Sequence, residues 1–253
     1  MKKLFTLGFF LGLLLPLSTA QYQGRNGGTA IAVNFNYAVQ FPGGDLIELY
    51  GTNFRVGGGI DLLTRKRFIL GIDGGLMFGN TLKEDVLSTL RTPEGGIIGN
   101  NKVYADIVLK QRGFQVSGHL GKVFAISAAD KARRSGIRAT IGAGLLQHRV
   151  RIQDDFNSSV PQLDEQYKKG YDRLTNGLMI QEFIGYQLLS NNRLVNFYVG
   201  FEFSQGFTQN RRNFDFKLRR AVDESRFDSL VGFRVNWILP FYIDEDPDAI
   251  EYY

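Results

Sequence analysis

The sequence predicts an all-β fold, an eight-stranded antiparallel up-and-down transmembrane β-barrel. Three observations carry that prediction. Eight stretches alternate apolar and polar residues with a period close to two. No apolar segment of helix length follows the first twenty residues. The composition, with 30 glycines, 21 phenylalanines, 11 tyrosines and only 3 methionines in 253 residues, favours strands and turns. A period of two puts one set of residues on each face of a strand. A soluble sheet would lay its apolar face on a core, but no helix or second sheet is left to supply one. Lipid covers that face instead, and the strands close because an open edge cannot be satisfied in hydrocarbon.

The first strand is the clearest, with Ile31, Val33, Phe35, Tyr37, Val39 and Phe41 opposed to Ala32, Asn34, Asn36, Ala38 and Gln40. The second sets Phe54, Val56, Gly58, Ile60 and Leu62 against Arg55, Gly57, Gly59 and Asp61. A tight polar turn, Thr64-Arg65-Lys66-Arg67, leads to the third, where Phe68, Leu70, Ile72, Gly74, Leu76 and Phe78 oppose Gly71, Asp73 and Gly75. A long polar stretch from Gly79 to about Gln111 follows. Within it Val103, Ala105, Ile107 and Leu109 continue an alternating ladder, and the stretch is expected to fold back over the barrel mouth as a lid.

The fourth strand places Phe114, Val116, Gly118 and Leu120 opposite Gln115, Ser117, His119 and Gly121. In the fifth, Ile137, Ala139, Ile141, Ala143 and Leu145 oppose Arg138, Thr140, Gly142 and Gly144. Beyond Leu146 the phase becomes untidy, as it would at a bulge or where the strand leaves the membrane. The sixth strand, Leu178 to Leu188, carries Glu182 on its most apolar face, which is costly in lipid. A bulge is expected there, turning Glu182 inward and Phe183 outward. The seventh shows Val195, Phe197, Val199, Phe201 and Phe203 against Asn196, Gly200, Glu202 and Ser204. The eighth shows Val231, Phe233, Val235, Trp237, Leu239 and Phe241 against Gly232, Arg234 and Asn236.

Long and short connections alternate, the pattern of long outer loops and short periplasmic turns. Both termini then lie in the periplasm of an outer-membrane protein. Strand ends supply two aromatic belts, Phe41, Phe54, Phe78, Phe114, Phe207 and Phe227 outside, and Phe68, Phe124, Tyr186, Phe197, Trp237 and Phe241 inside. A lipocalin-like soluble barrel would reverse the faces. It would put too many phenylalanines into an interior that eight strands leave just fillable.

Met1-Lys2-Lys3, a short apolar run to Leu17, and small residues Ser18 and Ala20 make residues 1–20 a cleavable secretory signal. Residues 21–242 form the barrel and residues 243–253 an acidic periplasmic tail. With no cysteine, neither a lipid anchor at the cleavage site nor a disulfide can form. Removing the signal takes away Lys2 and Lys3 and no acid, so the formal charge of +5 moves nearer balance. That argues against nucleic acid as a partner.

The inward charges are mixed in sign, Arg55, Arg138 and Arg234 against Asp61, Asp73 and Glu202. Buried charges must be paired, so a lumenal salt-bridge network is expected, with a proton path or narrow pore as the alternative. Only two histidines exist. A lipid-modifying enzyme would need a serine and an acid within reach of His148, and neither stands out in the sequence. His119 and Ser117 share the lumenal face. Asp154, Asp155, Asn157, Asp164 and Glu165 are oxygen donors, but their spacing matches no calcium loop. Neither a metal nor another cofactor is predicted, and Asn157-Ser158-Ser159 is read as a chance glycosylation triplet. Arg211, Arg212, Lys217, Arg219 and Arg220, interleaved with Phe214 and Phe216, form a basic outer loop. The arginine forks among them suit lipopolysaccharide phosphate or an acidic partner.

The start at Gln21 after Ala20, and the closing run from Val231 through Trp237 and Phe241 to Tyr242, resemble outer-membrane barrels of Bacteroidota. The barrel portion is similar to the small OmpA- and OmpX-type barrels. The resemblance implies an eight-stranded barrel in contact with outer-membrane lipid and lipopolysaccharide, serving the envelope without catalysis. It implies envelope protein partners, such as those of a secretion or gliding machine. No peptidoglycan-binding domain follows the barrel, so that role does not carry over.

Overall fold

The computed structural model describes residues 29–100, 102–129, 134–154, 160–190 and 195–243. The signal, the tail beyond Ile243, and Asp155, Asn157, Ser158 and Ser159 lie outside the described residues. Eight strands form a closed antiparallel ring: β1 (Ala30–Gly44), β2 (Asn53–Leu63), β3 (Phe68–Gly79), β6 (Ile107–Phe124), β7 (Gly136–Asp154), β8 (Thr175–Leu189), β9 (Asn196–Asn210) and β10 (Ser225–Tyr242). Each strand pairs with its chain neighbours, and β10 closes on β1. Two short strands, β4 (Ile97–Ile98) and β5 (Tyr104–Ala105), pair in the loop between β3 and β6.

The alternation decides the faces. Phe35, Leu70, Ile72, Leu120, Phe201 and Trp237 stand more than half exposed on the outer wall. Arg55, Asp61, Glu202 and Asn236 are almost fully buried within. A polar interior and an apolar exterior invert a soluble protein, and lipid is the solvent that satisfies the arrangement. Rings cluster near the strand ends, Phe54 against Phe78 at 6.0 Å, Phe207 against Phe227 at 5.7 Å, and Phe35 against Trp237 at 6.1 Å.

β7 has 19 residues and β6 has 18, whereas a tilted strand crosses hydrocarbon in about 9–11. The surplus rises above the lipid-facing wall at the long-loop end, and there the polarity reverses. From Ile137 to Leu145 the outward residues of β7 are apolar; from Gln147 to Gln153 they are Gln147, Arg149, Arg151 and Gln153. Inward, Thr140, Gly142 and Gly144 give way to Leu146, His148, Val150 and Ile152. Pairing with β6 and β8 runs through this point without a bulge. The untidy phase after Leu146 is therefore the strand leaving the membrane.

Two expectations are corrected. β6 begins at Ile107, so Ile107 and Leu109 belong to the barrel wall and the preceding polar loop is shorter than Gly79–Gln111. Glu182 does not turn inward. β8 is in continuous register with both neighbours, Glu182 opposite Phe203 and Ile141 on the outer face. Phe183 is buried in the lumen, edge-on to Tyr198 at 5.3 Å and beside the Arg234 guanidinium. A ring with two partners inside holds the phase that the carboxylate alone would oppose.

Candidate functional site

The barrel interior has three layers. At the short-turn end Leu63, Ile69, Val123, Phe183, Leu189, Tyr198 and Ile238 make an apolar floor. Above it lies a charged layer built by β2, β3, β7, β9 and β10, whose inward positions supply Arg55, Asp61, Asp73, Arg138, Glu202 and Arg234. Arg55 contacts Asp73 at 3.1 Å and Glu202 at 3.3 Å. Arg234 contacts the same two acids at 2.6 and 3.4 Å. Arg138 meets Asp61 at 2.7 Å, and His119 meets the other oxygen of Asp61 at 2.8 Å. Gln40 donates to Glu202 at 2.6 Å, Asn36 to Asp73 at 2.9 Å, and Ser117 to Gln181 at 2.7 Å. The Arg138 guanidinium lies 4.1 Å from the Tyr198 ring.

Three arginines face three carboxylates, so the charges balance and no ion is needed to neutralise them. The free space among His119, Arg138, Gln181, Tyr198 and Arg234 amounts to about 10 Å³. That is at most one water. Among the described residues, that part of the layer is closely packed.

The third layer closes the mouth. Leu46, Leu49 and Tyr50 come from the β1–β2 connection, Val86, Leu87 and Ile97 from the β3–β6 loop. Val160, Leu163 and Tyr171 come from the β7–β8 loop, and Phe216 from the β9–β10 loop. They pack on the inward residues Met77, Leu146, Val150, Ile152, Met179 and Leu230. All four long loops thus share one apolar core, and the β3–β6 segment contributes its part of that cover.

Ion pairs lash the loops together over this core. Arg173 holds Glu84 at 2.5 and 3.0 Å and Asp215 at 2.9 Å, and Lys217 reaches Glu84 at 2.5 Å. Burial alone would raise the Glu84 carboxyl, but hydrogen bonds from Arg173 and Lys217 outweigh it and hold the group below its ordinary value. Arg173, which joins three loops, does not stand out in the sequence, because nothing local reveals its two partners.

The predicted basic loop is mostly committed within the protein. Arg212 donates to Asp172 at 2.8 Å, Lys217 serves Glu84, and Arg211 donates to Asn176 at 2.6 Å. Arg220 pairs with Glu224 at 2.6 Å on the exposed surface, and Arg219 is exposed in a left-handed conformation, φ 52°. Phe216 turns into the cap against Tyr171, while Phe214 stays exposed.

His148 has an acid partner after all. Its Nε2 lies 2.9 Å from Asp228 Oδ2, which also accepts from Thr208 Oγ1 at 2.5 Å. The imidazole is buried, with the Tyr50 ring edge-on at 5.4 Å. No serine hydroxyl is among its hydrogen-bond partners in the described residues. Asp154 binds Lys168 at 2.8 Å and Asp164 caps the turn at Glu165. Among the described residues no group of three or more His, Asp or Glu could hold a metal.

A different set of cations meets no carboxylate among the described residues, and the sequence reading does not single it out. On the outer wall above the lipid-facing belt, Lys110 of β6 lies opposite Arg151 of β7, and Arg112 opposite Arg149. The legible signal was the i, i+2 spacing of each pair along its strand, which places all four on one face.

No family model matches the chain, and no curated protein matches it. Its fold is similar to several solved structures. One is the N-terminal β-barrel domain of Pseudomonas aeruginosa OprF, 10% identical, covering 85% of this chain and 98% of that chain at a TM-score of 0.35. Another is Neisserial surface protein A, 10% identical, 82% and 97% covered, TM-score 0.40. A third is Ail of Yersinia pestis in complex with the heparin analogue sucrose octasulfate, 8% identical, 83% and 99% covered, TM-score 0.40. Such likeness concerns architecture and carries nothing about role.

Proposed function

We propose that this chain is an integral outer-membrane barrel working as a non-enzymatic binding or assembly component of the cell envelope. The observation that carries the reading is the filled interior, a balanced ion-pair layer between an apolar floor and a cap shared by all four long loops. With side chains filling the lumen and no serine hydroxyl on the buried histidine among the described residues, the barrel offers its surfaces, the loop cap first. Long loops face outward and both termini face the periplasm, where the acidic tail of residues 243–253 is a handle for a protein partner. The resemblance to Bacteroidota barrels favours an accessory place in a secretion or gliding machine.

A tagged pull-down from gently solubilised outer membranes, with cross-linking to locate contacts, tests this. Stoichiometric envelope proteins cross-linked to the cap or the tail support it. A partner-free barrel overturns the assembly role. Protease accessibility of the long loops on whole cells tests the orientation independently.

A further inference from the structure

The wall of β6 and β7 carries an arrangement that folding alone disfavours. Like charges directly opposite on neighbouring strands repel, yet here two such pairs stack one above the other. Opposed residues lie about 5 Å apart and successive same-face residues about 7 Å apart, so the four cations make a compact rectangle. Among the described residues none of the four meets a carboxylate. Lys110 donates to the Gln153 side chain at 3.3 Å, and Arg112 to the Gln111 carbonyl at 2.7 Å. By contrast, the arginines of the β9–β10 loop mostly have partners of their own.

Position supplies the second observation. Phe114 follows Arg112 by one alternation on the same face of β6, and Val116 and Leu120 continue the lipid-facing wall below it. On β7 the order is Arg151, Arg149, Gln147, then Leu145. The rectangle therefore sits one step beyond the edge of the hydrocarbon, at the depth of lipid phosphates. Arg149 and Arg151 also line a cleft of about 540 Å³ with Lys168, Lys169 and Arg212. Asp154 and Asp172 in that cleft are engaged by Lys168 and Arg212; Arg149, Arg151 and Lys169 then outnumber the one further carboxylate there, Glu165.

We infer that Lys110, Arg112, Arg149 and Arg151 form a binding site for the phosphates of an outer-leaflet glycolipid, the lipid A moiety of lipopolysaccharide. Guanidinium forks take phosphate oxygens two at a time, and the long side chains of Lys110, Arg112, Arg149 and Arg151 can reach phosphates set farther apart than their backbone positions. The acyl chains lie down the wall at Val116, Leu120 and Leu145. The assignment rests on the placement of the long loops in the outer leaflet.

The test uses the mature protein folded in detergent, titrated with bisphosphorylated lipid A. The variant carries Lys110→Gln, Arg112→Gln, Arg149→Gln and Arg151→Gln. Affinity should fall about tenfold or more, since charge-assisted contacts are lost. Replacing Arg219 and Arg220 by Gln should leave it unchanged. Thermal unfolding of the quadruple variant without lipid should be equal or higher, because repulsion has been removed. If that variant does not fold, Arg149→Gln with Arg151→Gln serves, with a smaller expected loss. Equal affinity of the variant and the parent overturns the site. Competition by inorganic phosphate or phosphatidylglycerol vesicles as effective as by lipid A overturns the glycolipid assignment. Loop inaccessibility on whole cells would instead sink the outward placement, while leaving the binding result in detergent intact.

Discussion

Asp61 on β2 and Arg138 on β7, 77 residues apart, meet across the lumen at 2.7 Å, and the arginine lies over the Tyr198 ring. Both are almost fully buried. Removing one partner leaves the other charge in a medium that cannot solvate it, which costs about 3–5 kcal/mol. Asp61→Asn should therefore lower stability by that order in urea unfolding of the membrane-inserted barrel. The double change Asp61→Leu with Arg138→Met should cost far less. Equal losses for the single and double variants would sink the pairing argument.

Glu202→Ala removes the acid shared by Arg55, Arg234 and Gln40. The expected result is a less stable barrel that still passes no current in a planar bilayer. A channel appearing in this variant, without loss of stability, would mean that the layer gates a path.

The cap should respond to acid. Glu84 has its carboxyl held down by Arg173 and Lys217, so its contribution is present above the ordinary glutamate range. It is lost as pH falls through the depressed folded value. Protection of the β3–β6 loop amides, measured against the intrinsic exchange rate at each pH, should hold from neutral to mildly acidic conditions and fall below the ordinary glutamate range. Glu84→Gln should flatten that response and leave the loop less protected at pH 7.

Cap and wall should also come apart in stages. Leu87 is fully buried in the cap core, and Leu87→Ala should cost about 2–5 kcal/mol locally. Limited proteolysis should then cut the long loops while the strands stay protected, because sub-global units open separately. Simultaneous loss of both would show one cooperative body.

Glu182 offers a change in the opposite direction. Its carboxylate faces outward between Ile141 and Phe203, so Glu182→Leu should stabilise the inserted barrel by about 1–2 kcal/mol. A loss of stability would mean that the carboxylate has a partner in the membrane.

How far the sequence could be read follows from which solvent each residue meets. Within the lipid-facing band a strict inside–outside contrast made the faces of β1, β2, β3 and β10 plain. Above Leu145 the same backbone phase continues, but apolar residues now belong inside and cations outside. Read as one code, Leu145-Leu146 looks like a slip, and that obscured Lys110, Arg112, Arg149 and Arg151. Glu182 and Phe183 misled for a related reason. Local cost in lipid argued for one phase, while the pairing of two neighbours and the ring of Tyr198, distant in sequence, imposed the other. The six lumen charges were visible as inward positions, but their pairing depends on ring closure. The commitments of Arg212 and Lys217 depend on loops meeting above the mouth.

The cap core has a consequence for how the protein reaches its final state. Its apolar residues come from four connections far apart in the chain, and they pack on inward residues of strands that are brought together only when the ring closes. The cap is therefore a tertiary structure that none of the four loops can hold alone, and its integrity reports on closure of the whole barrel.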